Sequence, residues 1–150
     1  ELGIPVEPMD SAQSCVEGAD VVTTTTNSKE PLLQGDWLAP GVHVNAVGAN
    51  SADRRELDDA VVLDADNVIT DQVSQAQIES RVLRELVDGG KIAWDQVGEL
   101  GQVVSGARPG RKDAKQRTLF VSLGLAFEDV AFGALILEKA KAAGVGREIF

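Results

Sequence analysis

The chain has 150 residues, of which 24 are Asp or Glu and 14 are Lys or Arg, giving a formal net charge of −10. That length suits one domain with a real core, and 43% hydrophobic with 25% charged residues is the balance of a globular chain. The acidic balance argues against a nucleic-acid partner, and no apolar run reaches the ~20 residues of a membrane-spanning helix. A single cysteine, Cys15, and a single histidine, His43, exclude a disulfide framework and a Cys/His zinc site. A lone cysteine fits a reducing, cytoplasmic compartment.

In chain order, Asp10 is the predicted N-cap of a short helix through Val16, stopped at Gly18. Val21-Val22 and the run Thr23-Thr24-Thr25-Thr26 predict a strand, because β-branched residues at this density favour extended backbone. Asn27 to Asp36 is a loop, and Trp37-Leu38 a helical turn. Pro40-Gly41 turns into a second strand, Val42 to Val47, ended by Gly48. Asp53 and Glu56 have capping-box spacing and predict a helix start near Arg54. Val68-Ile69-Thr70 is a third strand. Ile78, Val82, Leu83, Leu86 and Val87 recur at helical spacing and predict one helix from Ser74 to Val87, ended by Gly89-Gly90. Residues 98–112 read as a glycine-rich loop with a helical turn over Leu100 to Val104. Leu119 to Val121 is a fourth strand, and Leu125 to Ala143 the longest helix.

Strands alternating with helices predict an α/β fold with a mainly parallel sheet flanked by helices. Ligands of such sheets bind beyond the carboxyl ends of the strands. The candidates are therefore Thr24 to Asn27, Asn45 to Asn50, Thr70-Asp71 and Ser122-Leu123. The segment Asn45-Ala46-Val47-Gly48-Ala49-Asn50 offers small residues for close backbone approach and two uncharged amides; by spacing alone, a plain strand-to-helix turn is the simpler account. The threonines alternate, so one pair faces a ligand or all four serve as strand formers. His43 fits a satisfied core or edge histidine better than a general base, and Cys15 has no basic neighbour to activate it. Arg54-Arg55 either hold a phosphate or form a solvated face, and Arg111, Lys112, Lys115 and Arg117 read as a solvated loop. No G-x-G-x-x-G phosphate loop occurs, and Gly144-Val145-Gly146 has neither a strand before it nor a helix after it.

Five stretches, in order and in step, resemble the ornithine cyclodeaminase/mu-crystallin family. They are Gly18 to Ser28 (Gly-Ala-Asp-Val-Val-Thr-Thr-Thr-Thr-Asn-Ser), Trp37 to Asn50, Asp53-Arg54-Arg55-Glu56-Leu57-Asp58-Asp59, Glu99 to Gly106 with Pro109-Gly110-Arg111, and Thr118 to Asp129. The resemblance implies the carboxyl-terminal, Rossmann-type portion of such a protein, with NAD or NADP as cofactor. It places about 150 or more residues upstream, among them the phosphate loop and a substrate-binding, dimer-forming region. Residues 1–123 would then be a partial dinucleotide-binding domain, and 124–150 a helix and tail packing toward the missing region. Family members are expected to be homodimers that take a small amino or imino acid.

The resemblance also implies residue roles. Thr26, with Thr24, would contact the dinucleotide; Asn45, Ala46, Val47 and Gly48 would lie beside the nicotinamide; Ser122 would touch the cofactor, and Leu123 would line the substrate pocket. Arg54 would be a basic residue near the cofactor. Glu79 resembles a pocket-side glutamate, although Glu79-Ser80-Arg81-Val82 departs from the family's Glu-Ser-Gly-Asp. Asn50 stands where cyclodeaminases have an aspartate that handles protons. Asparagine only orients and hydrogen-bonds, and loss of an acid/base costs ~10²–10⁴-fold. The residues thus favour an amino-acid dehydrogenase or ketimine reductase, which needs only hydride transfer at a C–N bond. Ornithine cyclodeaminase and a non-catalytic, mu-crystallin-like binding protein remain as alternatives.

Overall fold

In the computed structural model, which describes residues 3–147 and residue 149, five short strands form one all-parallel sheet. They are β1 (Val21–Thr24), β2 (His43–Ala46), β3 (Asn67–Thr70), β4 (Gly98–Glu99) and β5 (Thr118–Val121), in the order β1-β2-β5-β3-β4. The expected parallel sheet flanked by helices is present. The edge strand β4 was expected as loop; two residues are too few to carry a strand pattern.

Helices α1 (Ala12–Val16), α2 (Asp59–Leu63), α3 (Val73–Glu79) and α4 (Arg81–Asp88) share one core with the sheet. Val22, Val44, Ala46, Leu119 and Val121 point from the strands into it, and Val16, Val61, Val62, Ala76, Leu83 and Leu86 meet them from the helices. The alternation is strict on β2 and β5, as a pleat with one packed face requires. The other face carries a hydrogen-bonded polar row. Arg111 donates to Thr118 Oγ1 at 2.9 Å, His43 Nδ1 lies 2.7 Å from that hydroxyl, and His43 Nε2 lies 3.1 Å from Asn45 Oδ1. Asn45 Oδ1 only accepts, so Nε2 carries the proton of the neutral ring, and Nδ1 accepts from the Thr118 hydroxyl. His43 is thus the satisfied histidine expected. α5 (Leu100–Val104) borders a groove of about 400 Å³ on this face. α6 (Ala126–Ala143) carries Phe127, Val130, Phe132 and Ile136 exposed, and none of its residues is buried.

β2 is one residue shorter at each end than expected, β3 and β5 start one residue earlier, and four further differences are larger or have a clear local setting. The N-cap of α1 is Ser11, not Asp10, because Ser11 and Ser14 close a reciprocal capping box. β1 ends at Thr24 rather than Thr26. The helix expected over Ser74 to Val87 is two helices meeting at Ser80, whose ψ of 100° breaks the α-helical path. The break leaves Ile78 exposed although its spacing matches the core face. No helix starts near Arg54: residues 54–56 form no regular element, Leu57 bridges Leu33, and α2 starts at Asp59 with Asp58 as its N-cap. Glu56 has a tertiary task that overrides its capping-box spacing.

Arg55 is structural. It donates to the Leu57 carbonyl at 2.9 Å and pairs with Asp59 and Glu85. Lys91 and then Arg55 hold the Asp59 carboxyl below its ordinary value of 3.8, and Arg81 does the same for Glu85. Both carboxyls titrate lower when folded, so their stabilisation is full above their ordinary values and is lost as pH falls through the folded values. With side chains 38% and 43% exposed, the pair is worth about 1 kcal/mol or less. Urea unfolding at stepped pH should show an acid-side loss of stability that Asp59→Asn makes shallower; an unchanged slope would dismiss these pairs as contributors.

Candidate functional site at the carboxyl edge of the sheet

Parallel pairing brings the carboxyl ends of β1, β2, β5 and β3 to one edge. Two buried carboxylates lie under it. Glu56, 1% exposed, sits beneath β1 and β2. Its Oε1 accepts from the Thr26 main-chain N–H at 2.6 Å and the Thr26 hydroxyl at 2.8 Å. Its Oε2 accepts from the Thr24 hydroxyl at 2.8 Å, the Gly48 N–H at 2.9 Å and the Ala49 N–H at 3.2 Å. Gly48 is required here. A Cβ on it would stand 2.1 Å from the Thr26 carbonyl oxygen and 2.5 Å from Glu56 Oε1. Beneath β3 and β5, Asp71 Oδ2 accepts from the main-chain N–H of Leu123, from that of Gly124 at 2.9 Å and from the Ser122 hydroxyl at 3.3 Å.

Over the β1–β2 ends lies an open cleft of about 630 Å³ lined by Thr25, Thr26, Asn27, Val47, Gly48, Asn50 and Arg54. Arg54 Nη1 donates to Asn50 Oδ1 at 3.1 Å. Arg54 only donates, so the Asn50 oxygen faces it and the amide NH₂ remains as a donor for a ligand. The cleft therefore presents hydroxyls, two amides and one guanidinium, with no carboxylate among its lining residues. Among the described residues, no cluster of three or more His, Cys, Asp or Glu could hold a metal ion, and no helix is long and apolar enough to cross a membrane.

The structure gathers Thr26, Val47, Gly48, Asn50 and Arg54 at this cleft and places the other expected site residues elsewhere. Thr24 is 5% exposed with its hydroxyl on Glu56, and Ala46 is buried in the core. Asn45 points to the opposite sheet face, where it meets His43 and lines the 400 Å³ groove. Ser122 and buried Leu123 lie at the β5 exit on Asp71. Glu79, on α3, accepts from Gln75 Nε2 at 2.9 Å, and that amide also donates to the Gly124 carbonyl at 3.0 Å. Of the two arginines considered for a phosphate, only Arg54 reaches the cleft. Arg111 and Arg117, expected in a solvated loop, tie it to the β2 approach through the carbonyls of Gly41 and Leu38.

An all-parallel sheet flanked by helices, with a polar cleft free of carboxylates at its carboxyl edge, is the architecture of a Rossmann-type α/β protein. The chain belongs to the ornithine cyclodeaminase/mu-crystallin family, whose profile matches residues 1–144. It is 39% identical over 133 residues to the ketimine reductase mu-crystallin of Mus musculus, covering 89% of this chain and 40% of that protein. It is 37% identical to the iminosuccinate reductase of Paracoccus denitrificans, covering 99% of this chain and 45% of that protein. Its fold matches that of the Thermococcus litoralis Δ1-pyrroline-2-carboxylate reductase, solved with NADH and L-proline, with a TM-score of 0.87 and 33% identity over 94% of this chain and 44% of the other. The chain thus spans less than half the length of these relatives.

Proposed function

We propose that the chain is the carboxyl-terminal part of the dinucleotide-binding half of an NAD(P)-dependent oxidoreductase acting on the C–N bond of a small amino or imino acid. The observation that carries this reading is the cleft itself: the Thr25 hydroxyl, the side-chain amides of Asn27 and Asn50, the Arg54 guanidinium and no carboxylate among its lining residues. Such a donor set suits the neutral hydroxyl and carboxamide groups of a dinucleotide, and NAD(P)H, when bound, would supply the hydride. Thr26, Val47 and Gly48 would border the nicotinamide end, Arg54 would add positive charge, and Asn50 would orient a polar atom of cofactor or substrate. Ser122 and Leu123 would act from the β5 exit.

Asn50 cannot exchange a proton, which sets ornithine cyclisation behind reduction of an imine. The relatives that support this reading are reductases, and one similar structure is an archaeal alanine dehydrogenase dimer with bound NAD. Assembly as a homodimer through a region outside these residues, with 124–150 packing toward it, belongs to the same proposal, as does a cytoplasmic location. The whole gene product carrying this chain should change NADH or NADPH fluorescence saturably. No saturable change with either cofactor at millimolar concentration would overturn the reading.

A further inference from the structure

We propose that Glu56 is the positioning residue of the cleft: a buried carboxylate that fixes the β1 and β2 strand ends against each other and so sets the shape a ligand meets. The proposal rests on the functional reading above for the ligand, and on the hydrogen bonds alone for the mechanical role. Five donors converge on one side chain: two main-chain N–H groups from the turn after β2, one from the turn after β1, and two threonine hydroxyls. The main chain of Glu56 is itself fixed, because its carbonyl accepts from Leu32 and Leu33 at 2.9 and 3.0 Å. Every residue lining the cleft either bonds Glu56 or lies within two positions of Glu56 or of a residue that does.

Successive N–H groups turned inward make a concave anion site. Here the protein fills it with its own carboxylate, so the N–H groups of Thr26, Gly48 and Ala49 are not offered to a ligand phosphate. Only outward groups, such as the Asn50 amide and Arg54, are left to select the ligand. Both carboxylate oxygens accept main-chain N–H groups, so no rotamer of a glutamine can serve: its NH₂ always faces at least one N–H. Glu56→Asp keeps charge and both acceptors but withdraws them by one methylene.

The test uses the whole gene product. Glu56→Gln is expected to raise the Kd for NADH or NADPH about tenfold or more, the equivalent of one lost charge-assisted hydrogen bond, and to speed amide exchange at Thr26, Gly48 and Ala49. Glu56→Asp should restore part of both. Leu83→Ala, in the core on α4 and fully buried, serves as the stability control: it should lower Tm while leaving the Kd unchanged. Should Glu56→Gln fail to fold, Glu56→Asp decides, with a Kd raised beyond that of Leu83→Ala as the expected result. The proposal is overturned if the Glu56 variants bind cofactor as the wild type does, or if their Kd follows Tm along the same line as Leu83→Ala. Absence of binding by the wild type overturns the functional reading instead, and the exchange rates still decide whether Glu56 holds the strand ends.

Discussion

Gly48→Ala is expected to lower stability by about 2–4 kcal/mol, although it adds one methyl group to a half-exposed turn. The added Cβ would stand 2.1 Å from the Thr26 carbonyl oxygen, 2.3 Å from the Thr26 nitrogen and 2.5 Å from Glu56 Oε1. Two of these atoms are backbone, which cannot swing aside as a side-chain tip does. Relief would require parting the β1 and β2 ends, which breaks the Glu56 bonds to Gly48 and Ala49. The matched comparison is Gly101→Ala on α5, where nothing lies within 4 Å. That change should be neutral or stabilise by about 0.5–1 kcal/mol, the helix preference for alanine. Denaturant unfolding of both variants measures the difference, and equal stabilities would mean that the strand ends do not approach so closely.

At the second carboxylate, a contrast between two variants is expected. Asp71→Ala should cost about 2–4 kcal/mol, because it strands the N–H groups of Leu123 and Gly124 and the Ser122 hydroxyl. Asp71→Asn should cost about 1 kcal/mol or less, because all three donors meet one oxygen, Oδ2, and an asparagine can present its carbonyl oxygen there. Glu56 divides its donors between both oxygens, so its amide variant should be the more damaging of the two carboxylate-to-amide changes. Thermal unfolding of the variants orders them. An Asp71→Asn loss as large as that of Asp71→Ala would contradict the one-oxygen geometry.

Four of the five strands were legible in the sequence because their signals are local. The β-branched run at Val21 to Thr24, the polar–apolar alternation of His43 to Ala46 and the short apolar run of Leu119 to Val121 are local signals that need no tertiary context. The stretch 74–87 shows where periodicity misleads: its apolar spacing spans Ser80, yet the helix breaks there, with Ala76 and Leu83 buried on either side of the break. The cleft was legible in part. The carboxyl-edge rule locates Thr26, Val47, Gly48 and Asn50, but sequence cannot say which side of a strand end faces out, so Thr24 and Asn45 turn away from the cleft. Glu56 was hidden for a different reason. Its spacing from Asp53 satisfies a helix-capping rule, whereas its partners are 7 to 32 residues distant, and only tertiary structure brings them together. One signal was there: Glu56 stands directly before Leu57, at the start of a buried apolar series with Val61 and Val62.

The reading of this chain as part of a C–N oxidoreductase is tested most directly by following the hydride. The whole gene product should transfer deuterium from NADH or NADPH dideuterated at C4 to the imine carbon of a small cyclic or α-imino acid, giving one α-deuterated amino acid per cofactor oxidised. Cofactor binding without any deuterium transfer across a panel of such imines would contradict it.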